Sequence, residues 1–437
     1  MLTTRHELGL LLRARPAMAG LLVAGRVMAR ARRPLVRVPQ IGWVTADPEV
    51  GRQILGDHRS FTILGEGGVG HLWAQILGDW VLDLFDGPGH HDVRSRSREL
   101  FTEAGSAALV EQAWHGPLDS ARAELRAGGE VDVALLSRVL VGRMMISLLG
   151  IPAPEGHPDP ATWPSDEDAA RAFATGERLA SIALGSAGST YLTPEQVATG
   201  REIVAELTRG VPEGWRTAPA HQLLGRCREL GLGLEETTGL ASLLMVAGTE
   251  TSASAIARTT ALLIDTGEQH RLLASLAAGS DTSHGPGGDP ARGPESDVGR
   301  APGTGADTDA MTGAVREGLR MTSPASVIGR GVAADVEIAG RRLTAGERVM
   351  ILTWSANSHV GPYRVNRPYV RETRQLWFGA GRHLCLGAAL ARAEIAAVLH
   401  TLWDDGVPLR ITGRRAQRRV LIPNYSRLVV TRAPADR

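Results

Sequence analysis

The 437-residue chain has few cysteines, almost no net charge and no internal repeats. Its two cysteines, Cys227 and Cys385, cannot form a disulfide framework, which is typical of a protein from a reducing compartment. Lysine and arginine together number 48 against 47 for aspartate and glutamate, so the formal net charge is +1. This balance gives no reason to expect nucleic-acid binding. Because Cys227 stands between two arginines, we expect it to be a partly exposed thiol.

The N-terminus lacks both a long apolar run and acidic residues. Arginines and a proline interrupt the apolar residues between Leu8 and Val27, so neither an integral membrane span nor a secretory signal is predicted. No acidic residue occurs from Leu8 to Ala46. We interpret residues 1–33 as an arginine-rich leading helix of a cytoplasmic enzyme. An amphipathic helix on an anionic surface and an organelle address remain open. The arginines between Leu8 and Ala46 are Arg13, Arg15, Arg26, Arg30, Arg32, Arg33 and Arg37.

The second cysteine ends a glycine-rich loop that begins at Phe378 and leads into strong helix formers. Free N–H groups and the helix dipole at such a position favour thiolate over thiol, so Cys385 is a plausible anionic ligand. Gly387 lacks a Cβ and would let the helix approach a flat ring. Arg382 and His383 would place positive charge where carboxylates of that ring could be paired.

This loop resembles the haem-binding loop of the cytochrome P450 superfamily, with phenylalanine, two spaced glycines, a basic residue, cysteine and a following glycine in register. The resemblance implies that Cys385 binds the iron of haem b as an axial thiolate, which favours O–O cleavage. It also implies that Phe378, Gly379, His383 and Gly387 contact the cofactor. The alternative is that Cys385 is a buried thiol that acts as a small hydrophobe.

A turn at Asp86 precedes a predicted helix on which His90 and Arg94 share one face. Two donor groups on one face could bind a carboxylate, although such faces are more often simply solvated. The resemblance implies that His90 and Arg94 hold a haem propionate. It implies the same for Arg330, which follows the apolar segment 324–328.

The apolar stretch Leu234 to Ile264 predicts a long buried helix. Glu250 and Thr251 lie in its middle, where polar groups cost free energy unless they are satisfied or used. Gly248 weakens the helix there, which suggests a local widening that admits water or oxygen. The resemblance implies that Glu250 and Thr251 are the catalytic acid–alcohol pair that relays protons to iron-bound oxygen, with Ala247 beside the haem. The alternative is a threonine hydroxyl bonded to its own helix.

Glu317 and Arg320 stand three residues apart on a predicted helix and can form an ion pair. The resemblance implies that this is the family's Glu-x-x-Arg pair, buried behind the haem, with Arg367 as its third partner. The segment 356–362 departs from the family pattern, and Gln375 replaces a usual histidine. These departures concern the ion-pair network.

Four motifs in the family's order imply a mainly α fold with small β regions. They imply a single large catalytic domain at 34–437, with a flexible insertion at 279–306. The implied activity is that of a soluble, bacterial-type haem-thiolate monooxygenase. It would use O₂ to hydroxylate or otherwise oxidise a hydrophobic small molecule, for which we expect a secondary-metabolite intermediate of terpenoid or polyketide-like type. The predicted apolar pocket consists of Leu243, Leu244, Ala247, Ala325, Val327 and Ile328.

Electrons are expected from NAD(P)H through a ferredoxin reductase and a small acidic ferredoxin. The ferredoxin would dock on Arg96, Arg98, Arg382 and Arg392. We expect a monomer. Two other functions remain open: a haem-thiolate enzyme of oxidative coupling, desaturation or peroxide-driven chemistry, and a non-enzymatic haem-thiolate sensor or carrier.

Local patterns also predict individual elements. Alternation and turn residues indicate strands at 34–39, 41–44, 336–338 and 349–352, and a hairpin at 420–430 whose tip could reach the pocket. Asp47 before Pro48 indicates the start of a helix, and Thr193 with Gln196 indicates a capping box. The loop 185–191 is interpreted as a lid.

Overall fold

The computed structural model describes residues 5–65, 69–78, 80–87, 89–156, 163–184, 191–220, 222–281, 310–358, 360–368 and 376–434. These residues form one mainly helical domain with small sheets, as predicted. Most of the insertion predicted at 279–306 lies outside the described residues, as do 185–190 of the predicted lid and Gln375. Residues 279–281 end a helix rather than begin a loop.

Seventeen α-helices occur in the described ranges. They are α1 (Arg5–Ala14), α2 (Pro16–Arg30), α3 (Pro48–Gly56), α4 (Val69–Leu77), α5 (Trp80–Phe85), α6 (His90–Arg98), α7 (Glu103–Arg126), α8 (Val133–Leu149), α9 (Asp166–Leu184), α10 (Pro194–Leu207), α11 (Val211–Thr217), α12 (Leu223–Glu229), α13 (Leu234–Asp265), α14 (Gln269–Asp281), α15 (Ala310–Thr322), α16 (Thr353–Ser358) and α17 (Ala388–Trp403).

The strands form three sheets. They are β1 (Val36–Val38), β2 (Gly42–Thr45), β3 (Phe61–Thr62), β4 (Val131–Asp132), β5 (Ile328–Val332), β6 (Val336–Ile338), β7 (Arg341–Leu343), β8 (Arg348–Ile351), β9 (Leu409–Ala416) and β10 (Tyr425–Arg432). The largest sheet has the order β1-β2-β8-β5-β3, with β2 and β8 parallel and the other pairs antiparallel. The others have the orders β4-β10-β9 and β6-β7.

Helix starts follow the signals in the sequence. The Asp47 carboxylate accepts hydrogen bonds from the N–H groups of Glu49 and Val50, so it caps α3 while Pro48 occupies its first turn. Thr193 and Gln196 exchange the two hydrogen bonds of a capping box at the start of α10. Both predictions are confirmed.

The long helix α13 runs through the main core and packs against α8, α9, α15 and α17. It is the one described helix that is long and apolar enough to cross a membrane, yet 72% of that apolar window is buried inside the protein. This helix therefore lies in the hydrophobic core, because burying its apolar residues on all sides removes them from water.

The N-terminal helices pack onto the rest of the chain through polar as well as apolar contacts. The Arg258 guanidinium on α13 donates to the Glu7 carboxylate on α1, and both side chains are buried. Helix α2 packs against α16, where the Arg26 guanidinium lies 3.7 Å from the centre of the Trp354 ring and its Nε donates to Ser358.

Two predictions about local structure were wrong in detail. The C-terminal hairpin pairs β9 with β10, so its first strand precedes the predicted 420–430. Its tip touches the central helix, because Ser254 Oγ on α13 donates to the carbonyl oxygen of Pro423 at 2.7 Å. Cys227 is fully buried rather than partly exposed, because helix α12 turns it into the main core.

Candidate active site

The loop before Cys385 is held by its own backbone. The Cys385 N–H donates to the Phe378 carbonyl at 3.0 Å, which places the cysteine just ahead of α17 as predicted. Gly379 and Gly381 both have φ near +70° (+75° and +67°), a conformation that favours glycine. A Cβ on Gly381 would also overlap the carbonyl oxygen of Leu55 on α3. This close approach to α3 therefore requires glycine.

Cys385 is exposed to solvent just ahead of α17. Burial among protein atoms raises the pKa of its thiol. The Gly387 N–H and the charges of Arg94 and Arg392 lower this pKa but do not offset burial. The Gly387 N–H at the start of the helix thus acts in the predicted direction, toward the thiolate, but burial outweighs it. Binding of a cationic metal, which deprotonates a thiol, would supply the missing stabilisation.

A cluster of positive and imidazole side chains surrounds one carboxylate, Asp86. His383 Nε2 lies 3.0 Å from Asp86 Oδ1, and the His383 ring packs edge-on against His90, with ring centres 5.1 Å apart. Burial would raise the pKa of Asp86, but hydrogen bonds from His383, Thr62 and the Ile63 N–H lower it to about 2. Burial lowers the pKa of His383, and its bond to Asp86 offsets this only in part. Asp86 is thus a charged anchor for the loop.

Two arginines, Arg94 and Arg330, complete this cluster. Arg94 donates through Nη2 to the Leu384 carbonyl, but its buried Nε has no hydrogen-bond partner among the described residues. Arg330 is 4% exposed, and its Nη1 donates to the carbonyl oxygen of Gly329 at 2.8 Å. Burial lowers the pKa of each arginine to about 10, while Cys385 and Asp86 respectively act in the opposite sense. Two guanidinium groups against one carboxylate leave an excess of buried positive charge.

These features fit a haem. Buried positive charge with an unpartnered donor at Arg94 suits the carboxylates on its edge. A Cβ on Gly387 would meet nothing within 4 Å, so the start of α17 leaves space for a flat ring. The Phe378 side chain is half-buried, and the Arg392 guanidinium lies 5.7 Å from its ring centre. The loop thus combines a sulfur ligand, a flat surface and charge for an anionic group.

The middle of α13 carries the predicted acid and alcohol. Ala247 is exposed although most of its helix is buried, so open space lies against α13 here. Thr251 Oγ1 donates to the Ala247 carbonyl at 2.6 Å, as in the alternative interpretation of a hydroxyl bonded to its own helix. The helix is α-helical throughout, so the widening predicted at Gly248 is not observed. A Cβ on Gly248 would lie 3.0 Å from the Met145 side chain, so this glycine instead permits close packing of α8.

Glu250 points into the protein beside the same stretch and is 8% exposed. Its Oε2 atom has no hydrogen-bond partner among the described residues. Burial, together with the nearby Glu177, raises the pKa of Glu250 to about 7, and Arg138 offsets this only in part. A carboxyl group with such a pKa can hold or release a proton near neutral pH.

A second buried acid, Glu394 on α17, has no counterpart in the sequence predictions. It is 1% exposed, and neither of its carboxylate oxygens has a hydrogen-bond partner within the described ranges. Burial raises the pKa of Glu394 to about 7, and Ser252 on α13 offsets this only in part. Its charge acts on Cys385. The one sequence signal was a glutamate at a helix position otherwise occupied by apolar residues.

The predicted ion pair is formed and buried. Arg320 donates through Nε and Nη2 to the two oxygens of Glu317, each at 2.7 Å, and both residues are at most 2% exposed. Arg320 also donates to the carbonyl oxygen of Asn357 at 2.8 Å. Arg367 Nε lies 3.1 Å from Glu317, so it is the third partner as predicted. The network joins α15 to the segment that precedes the cysteine loop.

The predicted pocket residues lie on two elements. Leu243 and Leu244 on α13 are half-buried against the main core, and Ala325 is exposed ahead of β5. Val327 packs beside another apolar cluster. Ile328 Cδ1 would lie 3.9 Å from a Cβ on Gly379, so this residue adjoins the cysteine loop.

The predicted docking arginines are less available than expected. Arg96 pairs with Asp92, Arg392 pairs with Glu103, and Arg382 Nη1 lies 3.8 Å from Asp86. Arg98 is exposed and has no acidic partner in the part of the chain that the structure describes.

Comparison with known proteins identifies the family. The family profile described as cytochrome P450 matches residues 309–403. The chain is 29% identical over 366 residues to a putative cytochrome P450 140 of Mycobacterium tuberculosis, covering 80% of this chain and 72% of that protein. It is 28% identical over 389 residues to a vitamin D3 dihydroxylase of Streptomyces griseolus, covering 84% and 81%. The ligand-free structure of cytochrome P450 TbtJ1 superposes with a TM-score of 0.67 at 25% identity, covering 95% of this chain and 98% of the other. With a cysteine loop, a cationic cluster and a buried Glu-x-x-Arg network in one fold, the chain belongs to the cytochrome P450 family and is a haem-dependent monooxygenase.

Proposed function

We propose that this monooxygenase hydroxylates an apolar natural-product intermediate of terpenoid or polyketide-like type. The observation that carries the proposal is the exposure of Ala247 in the middle of a mostly buried helix, next to the half-buried Leu243 and Leu244. An apolar wall beside the cofactor favours a substrate with few polar groups. The similarity to a protein named vitamin D3 dihydroxylase supports a substrate of that polycyclic, hydrophobic class.

The residues that would hold the haem follow from the site. Cys385 would supply the thiolate ligand, and His90, Arg94, Arg330 and His383 would bind the carboxylates on the ring edge. Bound through a thiolate, haem would supply the activation of O₂, with one oxygen atom entering a C–H bond and the other leaving as water at the expense of two electrons from the redox partners and two protons. Phe378, Gly379, Gly387 and Ala247 would contact the ring.

Glu250 and Thr251 would handle protons. The Glu250 carboxyl, with a pKa of about 7, would take up a proton near neutral pH and pass it toward Thr251. Thr251 would have to turn its hydroxyl away from the Ala247 carbonyl in order to donate a proton into the site. That rotation exchanges one hydrogen bond for another and needs no movement of the backbone.

Redox partners and localisation belong to the same proposal. Electrons would come from NAD(P)H through a ferredoxin reductase and an acidic ferredoxin, with Arg98 as the docking arginine that has no acidic partner within the described residues. We propose a cytoplasmic monomer with a catalytic domain at 34–437.

One observation favours a second candidate, a haem-thiolate enzyme of oxidative coupling, desaturation or peroxide-driven chemistry. Thr251 donates its hydroxyl hydrogen bond to its own helix, and α13 is unbroken there. In this conformation the hydroxyl stabilises the helix and does not donate into the site. The variant Thr251→Ala separates the two candidates. We expect it to lower the yield of product per NADPH consumed about tenfold or more if Thr251 delivers protons. Unchanged coupling would favour the second candidate.

The proposed substrate class is tested by titration of the haem-loaded protein with secosteroids, terpenoids and macrolactones. A substrate that displaces water from the iron shifts its absorption from the low-spin to the high-spin form. The absorption band of the reduced, CO-treated protein first checks thiolate ligation. No spectral shift with any member of the panel would contradict the proposed substrate class without affecting the family assignment.

A further inference from the structure

Helix α2 presents an unusual face to solvent. Its exposed positions recur every three or four residues and form one stripe along the helix, about 22 Å long at 1.5 Å per residue. All but one of them are apolar or glycine, with Arg30 as the single polar member. The exposed residues are Pro16, Ala17, Gly20, Val23, Ala24, Val27 and Arg30. An exposed helix face is ordinarily polar, so an exposed apolar stripe indicates an interaction surface.

The larger side chains of this face are well exposed. Val23 is 41% exposed and Val27 is 60% exposed, and Leu12 on the adjoining α1 is 46% exposed. The opposite face of α2 is already occupied, because Ala19, Leu22 and Gly25 are buried against the rest of the protein. The stripe is therefore not the face that holds α2 in place.

The charged residues that flank the stripe in sequence, from Leu8 to Ala46, are all positive. Arg13 lies on α1, and Arg30, Arg32 and Arg33 follow at the end of α2, all of them exposed. None of these four arginines pairs with a carboxylate within the described ranges. The nearest acidic residue in sequence, Glu7, is buried in its pair with Arg258 and offers no charge at the surface.

We propose that the α1–α2 hairpin docks on an anionic lipid surface, with the apolar stripe of α2 at the boundary of the acyl chains and the arginines at the phosphates. The chain contains no lysine, so every cation at this surface is a guanidinium, which can bind a phosphate with two parallel hydrogen bonds. An apolar helix face bordered by cations and free of acids is the pattern that binds anionic interfaces. The hairpin lies on the surface and does not span it.

The geometry of the rest of the molecule supports a fixed docking orientation. The hairpin is attached to the core by the buried Glu7–Arg258 pair and by Arg26 against Trp354. Docking would therefore hold the whole enzyme at the surface rather than tether it by a flexible arm. The proposal does not depend on the identity of the substrate. The docking surface consists of α1 and α2, and none of its residues belongs to the predicted substrate pocket or to the loop of Cys385.

The test is cosedimentation of the full-length, haem-loaded protein with vesicles. We expect binding to vesicles of equal parts phosphatidylglycerol and phosphatidylcholine, little binding to pure phosphatidylcholine, and a decrease as ionic strength rises. A wild-type protein that stays in the supernatant with anionic vesicles at low salt would overturn the proposal. Equal binding to both kinds of vesicle would also overturn it.

Two sets of variants separate the apolar and the charge contributions. Val23→Ser with Val27→Ser should weaken binding about tenfold. Its matched control, Leu135→Ser, removes a side chain that is 54% exposed on α8 and should leave binding unchanged. Because all three side chains are exposed, the variants should fold like the wild type, which circular dichroism can check.

The charge variant replaces Arg30, Arg32 and Arg33 by glutamine. It should weaken binding roughly a hundredfold, at about fivefold for each arginine. Its control removes the same net charge elsewhere, at the exposed Arg209, Arg341 and Arg410, and should have a much smaller effect. An equal loss in the control would show general attraction rather than a docking surface and would overturn the proposal.

Size-exclusion chromatography tests whether a second copy of the chain, rather than a lipid surface, covers the apolar stripe of α2. If the wild type forms a dimer that Val23→Ser with Val27→Ser abolishes, a second copy covers the stripe, and the lipid proposal is wrong. A monomer in solution that binds anionic vesicles supports it.

Discussion

Two helices of this protein carry almost the same four residues with opposite consequences. Glu317-Gly-Leu-Arg320 on α15 is buried, and its ion pair also binds Arg367 and backbone carbonyls of the segment 357–362. Glu213-Gly-Trp-Arg216 on α11 forms the same pair at the same spacing, but its side chains are 52% and 64% exposed. Spacing determines that the pair can form. Burial determines that other segments must complete it, because a buried charge cannot be satisfied by water.

The active site adds a third arrangement. Glu394 is buried like Glu317, yet neither of its carboxylate oxygens has a hydrogen-bond partner among the described residues. Arg94 is half-buried, and its buried Nε atom also has none there. A fully paired buried charge organises the fold. A buried group that has no partner among the described residues is suited to a ligand or a proton, because the free energy of burying it is recovered only when that partner is bound.

The largest expected effect comes from breaking the buried pair. Arg320→Ala leaves Glu317 buried with one arginine fewer, and should lower the free energy of unfolding by about 3–5 kcal/mol. Arg216→Ala is its matched control and should change it by less than about 1 kcal/mol. Urea unfolding followed by circular dichroism measures both. Equal effects of the two substitutions would contradict the role of burial.

Removing the buried carboxyl of Glu394 should stabilise the folded protein, whereas removing Arg320 should destabilise it. Burial raises its pKa from the ordinary value of 4.5 to about 7, so the folded protein keeps a proton that the unfolded chain loses. The stability of the folded state is therefore full below pH 4.5 and decreases as the pH rises to about 7. Glu394→Gln should remove this decrease and raise the free energy of unfolding at pH 8 by on the order of 2 kcal/mol.

The control for this substitution is the pH itself. At pH 5 the wild-type carboxyl is already protonated in the folded state, so the gain from Glu394→Gln should be much smaller there. A gain that is the same at pH 5 and at pH 8 would mean that packing, rather than the proton, explains it. Unfolding curves at several pH values distinguish the two.

Arg94→Ala tests whether the incompletely paired arginine is held for a ligand. We expect it to weaken haem binding by at least about tenfold, because it removes a charge-assisted hydrogen bond to the cofactor. The stability of the haem-free protein should be unchanged or slightly higher. Arg98→Ala, which changes an exposed arginine on the same helix, should leave haem affinity unchanged. Haem titration and urea unfolding give the two readouts.

The smallest effect concerns the electron donor. Among the four predicted docking arginines, Arg98 has no acidic partner in the described part of the chain, whereas Arg392 pairs with Glu103. Arg98→Ala should therefore raise the KM for an acidic ferredoxin about threefold, and Arg392→Ala should raise it less. Steady-state reduction kinetics at low ionic strength measure this. A larger effect of Arg392→Ala would place the docking surface nearer α17.

Much of the site could be predicted because its signals are local. The positive φ angles at Gly379 and Gly381, the position of Cys385 before a helix and the i, i+3 pair of Glu317 and Arg320 all depend on neighbours in sequence. Asp86 and Glu394 could not be assigned a role in this way. Their importance comes from His383, nearly 300 residues from Asp86, and from Ser252 on another helix.

The sequence by itself determined the helical fold, the order of the motifs and the place of Cys385 before a helix, since periodicity, caps and glycine conformations are properties of short segments. Only the tertiary structure decided the burial that raises the pKa of Cys385, the shared environment of the cations around Asp86 and the buried pairing of Glu7 with Arg258. Electrostatic free energies depend on distance and on exclusion of water. Both are fixed when segments distant in sequence pack together.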